Sequence, residues 1–295
     1  MSRSLLLCLA AFSAFACRSQ RIDQASGPDL RTSIVEQQAV LFENRVFKDA
    51  VDFTRILTSN LIAPSLYQGE VRSSVTFRGC TFRQPVTAYR QQGEAGTITT
   101  FFSNLSFLDC TFEDSVSFRG SRVYGTVSFV GSTFEGHSTF EGINCYQEAS
   151  FADCIFRGEA RFQNSVFLQK AHFLRNEYYG VASFQQAIFH GEAQFGATKF
   201  LQYADLSLID CRGPALFNYV EFFERATFGS AHFQRGADFL SVAHGQTNFD
   251  QCVFMGPLRC FKSTVREQLS FREAFFLRGP PVLSFLPAER VVMGE

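Results

Sequence analysis

Nine cysteines, five histidines and 28 acidic residues are the groups in this 295-residue chain that could do chemistry. Thiols can pair, bind a metal or carry a lipid, and paired carboxylates can move protons. The spacing supports little of this. There is no His-x3-His, no Cys-x2-Cys and no clustered carboxylate set, so no metal ligand is expected. Gly-x-Gly-x-x-Gly and Walker sequences are missing, so no cofactor site is expected either. His172 and His232 are too far apart in sequence to suggest a pair. Glu135, Glu141, Asp153 and Glu159 fall at intervals along the chain without an acidic column that could line a cleft. No catalytic residue is assigned. Lys+Arg (27) and Asp+Glu (28) nearly cancel, which argues against a nucleic-acid-binding stripe and against an acidic mimic of DNA.

These residues are positioned by a repeat. Stepping by eleven from Phe107 gives Phe107, Phe118, Phe129, Phe140, Phe151, Phe162, Phe173, Phe184, Phe195, Leu206, Phe217, Phe228 and Phe239, so twelve of thirteen positions are Phe. A second row, five residues later, holds Phe112, Phe134, Phe156, Phe167, Phe189, Phe200, Phe222 and Phe233, with Val123, Cys145, Tyr178, Cys211 and His244 between them. Two residues before the first row, alanine stands at every step from Ala149 to Ala237. On a helix, at ~100° per residue, these apolar positions would surround the axis and form no seam. In an extended chain, residues two apart share a side. Ala-x-Phe then becomes an inward-facing unit and the following residues turn a corner, which predicts a β-solenoid with coils stacked ~4.8 Å apart.

The units Ala-Arg-Phe-Gln-Asn at 160–164 and Ser-Val-Phe-Leu-Gln at 165–169 resemble the pentapeptide-repeat family, in a Phe-centred variant with alternating spacings of five and six. The resemblance implies an all-β, right-handed, four-sided (quadrilateral) parallel β-helix. The extra residue in every second unit implies coils of ~22 rather than ~20 residues. The Asp/Asn-Leu dipeptide common in the family is largely missing. Many members have no known activity, and some are DNA-mimicking topoisomerase inhibitors.

The rhythm sets the expected boundaries. The solenoid spans 38–278, beginning with Phe42, Phe47 and Phe53. Irregular stretches at 54–74 and 84–99 are expected as loops or irregular coils, and they are the only places where a lateral site could be built. One residue is dropped after Phe239. Residues 279–295 are expected to cap the last coil, with Val282, Leu283, Phe285 and Leu286 covering it, since an open solenoid end invites aggregation or an end-to-end homodimer. Seven cysteines fall on inward rows: Cys145, Cys211 and Cys260 at Phe positions, Cys80, Cys110, Cys154 and Cys252 at small-residue positions. They are expected as buried free thiols. Cys80 and Cys110 could be neighbours only if the break between them loops out about eight residues.

Residues 1–16 read as a signal peptide: Arg3, an apolar run from Leu5 to Ala16, then Cys17. That run is short for a bilayer span. The segment resembles a lipoprotein signal, which implies lipidation at Cys17, although Ala14 stands where Leu is usual. Ala14-Phe15-Ala16 also suits simple cleavage, the alternative to lipidation. Residues 17–37 are expected as a polar tether. Loss of 1–16 removes Arg3 and no acid, leaving 26 minus 28, or −2. The function expected is a non-catalytic solenoid, structural or protein-binding, on a bacterial envelope as a membrane-anchored lipoprotein, or else periplasmic or secreted. Its partner would be a protein or another envelope component, with no nucleic acid. The alternatives are a polysaccharide-binding or polysaccharide-cleaving β-helix, and a topoisomerase inhibitor, which charge and the export signal disfavour.

Overall fold

The computed structural model describes residues 24–25, 27–36, 39–56, 60–281, 283 and 286–294. Each regular coil lays down four two-residue strands, as at Val127–Ser128, Thr133–Phe134, Ser138–Thr139 and Asn144–Cys145. Each pairs in parallel with its equivalent 22 residues on: Val127 with Ala149, Thr133 with Ile155, Ser138 with Ala160, Asn144 with Val166. The chain is an all-β parallel solenoid with four faces. Its first face carries ten strands, from Ala39–Glu43 to Leu258–Arg259, and therefore nine coil-to-coil steps.

Two kinds of corner explain the five-six alternation. After each first-row residue the chain makes a tight turn. In this turn the Phe129 carbonyl accepts from Ser132 N–H at 3.2 Å, and the Phe140 carbonyl accepts from Ile143 N–H at 3.0 Å. The third residue of that turn is left-handed at every eleventh position: Asp109, Gly120, Gly131, Gly142, Asp153, Asn164, Arg175, Gln186 and Ala197, with φ between 53° and 70°. Gly, Asn and Asp accept this region readily, whereas Arg175 and Ala197 are held there at some cost by the ladder. The other two corners are wider by one residue and supply the six-residue step. Gly158 sits on such a corner, where a Cβ would lie 2.6 Å from the Gly136 carbonyl oxygen one coil below.

Both Phe rows are buried. All thirteen first-row positions are 0% exposed, and the second row from Phe112 to His244 is at most 1% exposed. Rings stack along the axis and meet edge-on across it. Phe162 lies 4.8 Å from Phe184 with planes 2° apart, and 5.1 Å from Phe151 at 85°. Both arrangements suit the aromatic quadrupole. The alanine two residues earlier keeps the strand close without competing for the ring's space.

The residue two before the second row binds coils together. Thr198 Oγ1 donates to the Phe173 carbonyl at 2.6 Å and accepts from Asn176 N–H at 3.3 Å. Ser132 and Ser263 make the same bridge. Cys154 and Cys252 donate S–H to the Phe129 and Phe228 carbonyls, each at 3.0 Å. These thiols thus do more than fill space.

Where one residue is dropped after Phe239, Ala243–Asn248 runs as one strand and the coil shortens to 21: Ala226 pairs with Thr247. At the N-terminal end the tether expectation needs correcting. Gly27–Glu36 is a helix, and Leu30 and Ile34, one turn apart, are buried against the first coil. At the other end, Val291–Met293 pairs with Leu269–Phe271, while Leu283 and Leu286 pack on the core. Val282 and Phe285, also expected to cover the last coil, lie outside the described residues. So do Cys8, Cys17 and the whole signal segment.

Candidate functional site

Each irregular stretch carries a hairpin rather than a loose loop, and the two hairpins pair with each other; the second stretch starts later than expected, since Val86–Thr87 stays in the ladder between Val51–Asp52 and Val116–Ser117. Leu66–Val71 lies parallel to Gly96–Phe101, from Leu66 against Gly96 to Val71 against Phe101. Each strand is backed by its own antiparallel partner: Asn60–Ala63 against Leu66–Gln68, and Tyr89–Gln92 against Ala95–Ile98. Gly93, at φ 60°, turns the second hairpin. The last residues of the inner strands, Val71 and Phe101, drop into the core, so the small sheet grows out of the fourth face. Leu61 (63%), Ile62 (39%) and Tyr67 (37%) are exposed on it.

Beside this sheet runs an outward aromatic column. Phe102, Tyr124 and Tyr146 occupy one corner of three successive coils, with ring centroids 5.5 and 4.3 Å apart. The Arg72 guanidinium lies 5.0 Å from the Phe102 centroid, and Arg119 lies 5.3 Å from that of Tyr89 in the hairpin. Partial burial, followed by a hydrogen bond with Tyr124, raises the Tyr146 hydroxyl above its ordinary range. The rings lie face to face, with planes 7° and 16° apart, and Phe102 and Tyr124 are 40% and 42% exposed. This column escaped the sequence reading, although its 22-residue recurrence was visible.

The acids considered from sequence serve stacking. Glu135 pairs with Arg157 (3.4 Å), Glu141 with Arg119 (3.2 Å) and Asp153 with Arg175 (2.6 Å), each pair 22 residues apart. Glu159 pairs with Arg161 at 2.7 Å, and that hydrogen bond holds its carboxyl below the usual range. His172 bridges Gln194 and Glu148 at 2.8 and 2.7 Å. Of the eleven Arg and Lys ion pairs among the described residues, seven join neighbouring coils. Among the described residues, no group of three His, Cys, Asp or Glu is placed to hold a metal ion.

His244 is the one histidine in a Phe position. It is 0% exposed, Nδ1 lies 3.2 Å from Thr247 Oγ1, and Nε2 has no partner among the described residues. Burial pushes it down to about 3, so it is neutral in the fold. The seven described cysteines are free and buried. Burial pushes Cys252 and Cys260 up to about 12, and raises Cys145, Cys154 and Cys211 well above the ordinary thiol range.

The family profile described as pentapeptide repeats (9 copies) matches residues 99–143. Those 45 residues open the regular part of the solenoid, and the same register continues without interruption to Phe239. No curated protein and no solved structure matches the chain.

Proposed function

We propose that the protein is a non-catalytic interaction solenoid of a bacterial envelope that presents the paired hairpins and the Phe102–Tyr124–Tyr146 column to a protein partner. The observation that carries this reading is that the two departures from the repeat converge. Residues 60–71 and 89–101 are separate in sequence, yet they build one sheet beside an exposed aromatic column. Exposed aromatics with an adjacent arginine are the side chains that dominate protein interfaces. The outer edge of Asn60–Ala63 offers backbone groups for an added strand. Face-to-face stacking leaves little free ring surface for a sugar, which favours a protein partner over a polysaccharide. The balanced ion pairs weigh against a mimic of DNA.

The envelope location rests on residues 1–17 alone. The intact mass of mature protein from native membranes tests it. A chain starting at Cys17 with acyl groups, lost in Cys17→Ala, is expected; a chain retaining Met1 would contradict it. The binding surface is tested by a photo-crosslinking amino acid placed at Tyr124 or, as a control, at Arg175 on another corner. A discrete cross-linked product from Tyr124 alone is expected, and equal yields from both positions would argue against this surface.

A further inference from the structure

We propose that Cys80 and Cys110 form a dithiol site that is oxidised to a disulfide by low-molecular-weight disulfides, stapling the two coils that flank the second hairpin. The pairing follows from register. Phe77 pairs with Phe107 and Phe82 with Phe112, a step of 30 rather than 22 residues, because the hairpin adds eight. Cys80 and Cys110 are therefore stacked neighbours, and Thr111 N–H donates to the Cys80 carbonyl at 2.8 Å. The side chains share a direction: Cys80 Sγ reaches the Phe42 carbonyl at 3.4 Å and Cys110 Sγ the Phe77 carbonyl at 3.5 Å.

Neighbouring coils lie ~4.8 Å apart, within the Cα separation of ~4.4–6.8 Å that a disulfide spans. The Cβ atoms must close to ~3.8 Å, so the bond would be strained and easily reduced, as labile disulfides are. No other described cysteines stack. Ser132 separates Cys110 from Cys154, while Phe167 and Phe189 separate Cys145 from Cys211.

The two thiols are unequal. The Cys110 S–H bond, and then backbone donors and the charge of Arg45, lower Cys80 below the ordinary thiol range; the same contact and burial raise Cys110. The Arg45 charge and the backbone donors beside Cys80 favour it as the attacking thiolate. It displaces one thiolate from the small disulfide, giving a mixed disulfide. Cys110 then loses its proton and attacks the Cys80 sulfur, releasing the second thiol. Two protein S–H groups become one S–S, and the small disulfide is reduced to two thiols. Both cysteines are 1% exposed, so exchange requires the corner to open or accompanies folding.

The test refolds the full chain from urea into buffers of oxidised and reduced glutathione, quenches with acid, alkylates free thiols and maps the peptides. A linked pair containing Cys80 and Cys110 is expected, with the mass lowered by two hydrogens and restored by dithiothreitol. That link should be at least tenfold more populated than any other pair, and should lose this preference when the chain is held in urea. Cys80→Ser and Cys110→Ser each abolish it, whereas Cys154→Ser leaves it intact. Serine already occupies this row at Ser132 and Ser165, so these variants keep the corner. A folded chain whose described cysteines all remain alkylatable, or whose linked pairs are random, would overturn the proposal.

Discussion

Residues 105–239 and residues 54–101 are made by the same chain with different constraints. In the first region every coil copies the one below, and position dictates residue type: Phe inward, Ala two before it from Ala149 onward, a left-handed residue at the tight corner. In the second, two coils carry extra chain, and Asn60–Val71 and Tyr89–Phe101 leave the body as hairpins. The regular region supplies stability that accumulates coil by coil. The irregular one supplies surface that the core does not specify. A solenoid can afford such an outgrowth because only the residues that rejoin the ladder, here Val71 and Phe101, must return in register.

The sharpest way to break this contrast is inside the regular region. Phe184→Asp removes a ring stacked between coils and places a carboxyl among aromatics. A loss of more than ~4 kcal/mol in urea unfolding is expected, and melting like wild type would refute the inward assignment. Acid probes the one polar member of the second row. His244 is held near 3 in the fold against 6.5 as its ordinary value. The unfolded chain thus binds its proton first, and stability falls as pH drops from about 6.5 towards 3. The loss from this group approaches ~4 kcal/mol at the acid end, and His244→Phe should remove that part of the slope in urea unfolding at a series of pH values.

Thr198→Val keeps shape but strips the bridge between Asn176 N–H and the Phe173 carbonyl; about 1–3 kcal/mol should be lost in urea unfolding. Arg175→Ala breaks an exposed pair with Asp153 and should cost at most about 1 kcal/mol by the same measurement.

The regular region was legible because a buried ladder repeats its demands every eleven residues. Even the buried free thiols could be read there, since Cys145 and Cys211 stand at Phe positions. The helix over 27–36 was hidden in a polar segment, because two residues, Leu30 and Ile34, suffice to dock it. The hairpins were located as breaks, but their mutual pairing depends on two outgrowths leaving the same face of adjacent coils, which has no local sequence signature. The aromatic column is hard to read because outward positions carry no packing constraint and because Phe102 looks like the start of the continuous Phe rhythm; in the fold Phe101 takes that inward place (1% exposed), paired with Val123, and Phe102 points outward (40% exposed).

Deletion of residues 89–96, combined with Ile98→Gly because Ile98 would fall at the left-handed place of the rejoined tight corner, tests the division of labour most directly. It removes the added eight residues, returns the step from Phe77 to Phe107 to 22, and leaves Ala88 five residues before Phe101 in the rejoined chain. Partner recovery from detergent-solubilised envelopes, with unfolding followed on the same samples, gives the reading. The account predicts a solenoid within about 1 kcal/mol of wild-type stability whose partner recovery is lost. Undiminished recovery by the folded deletion variant would contradict the claim that the irregular region carries the function.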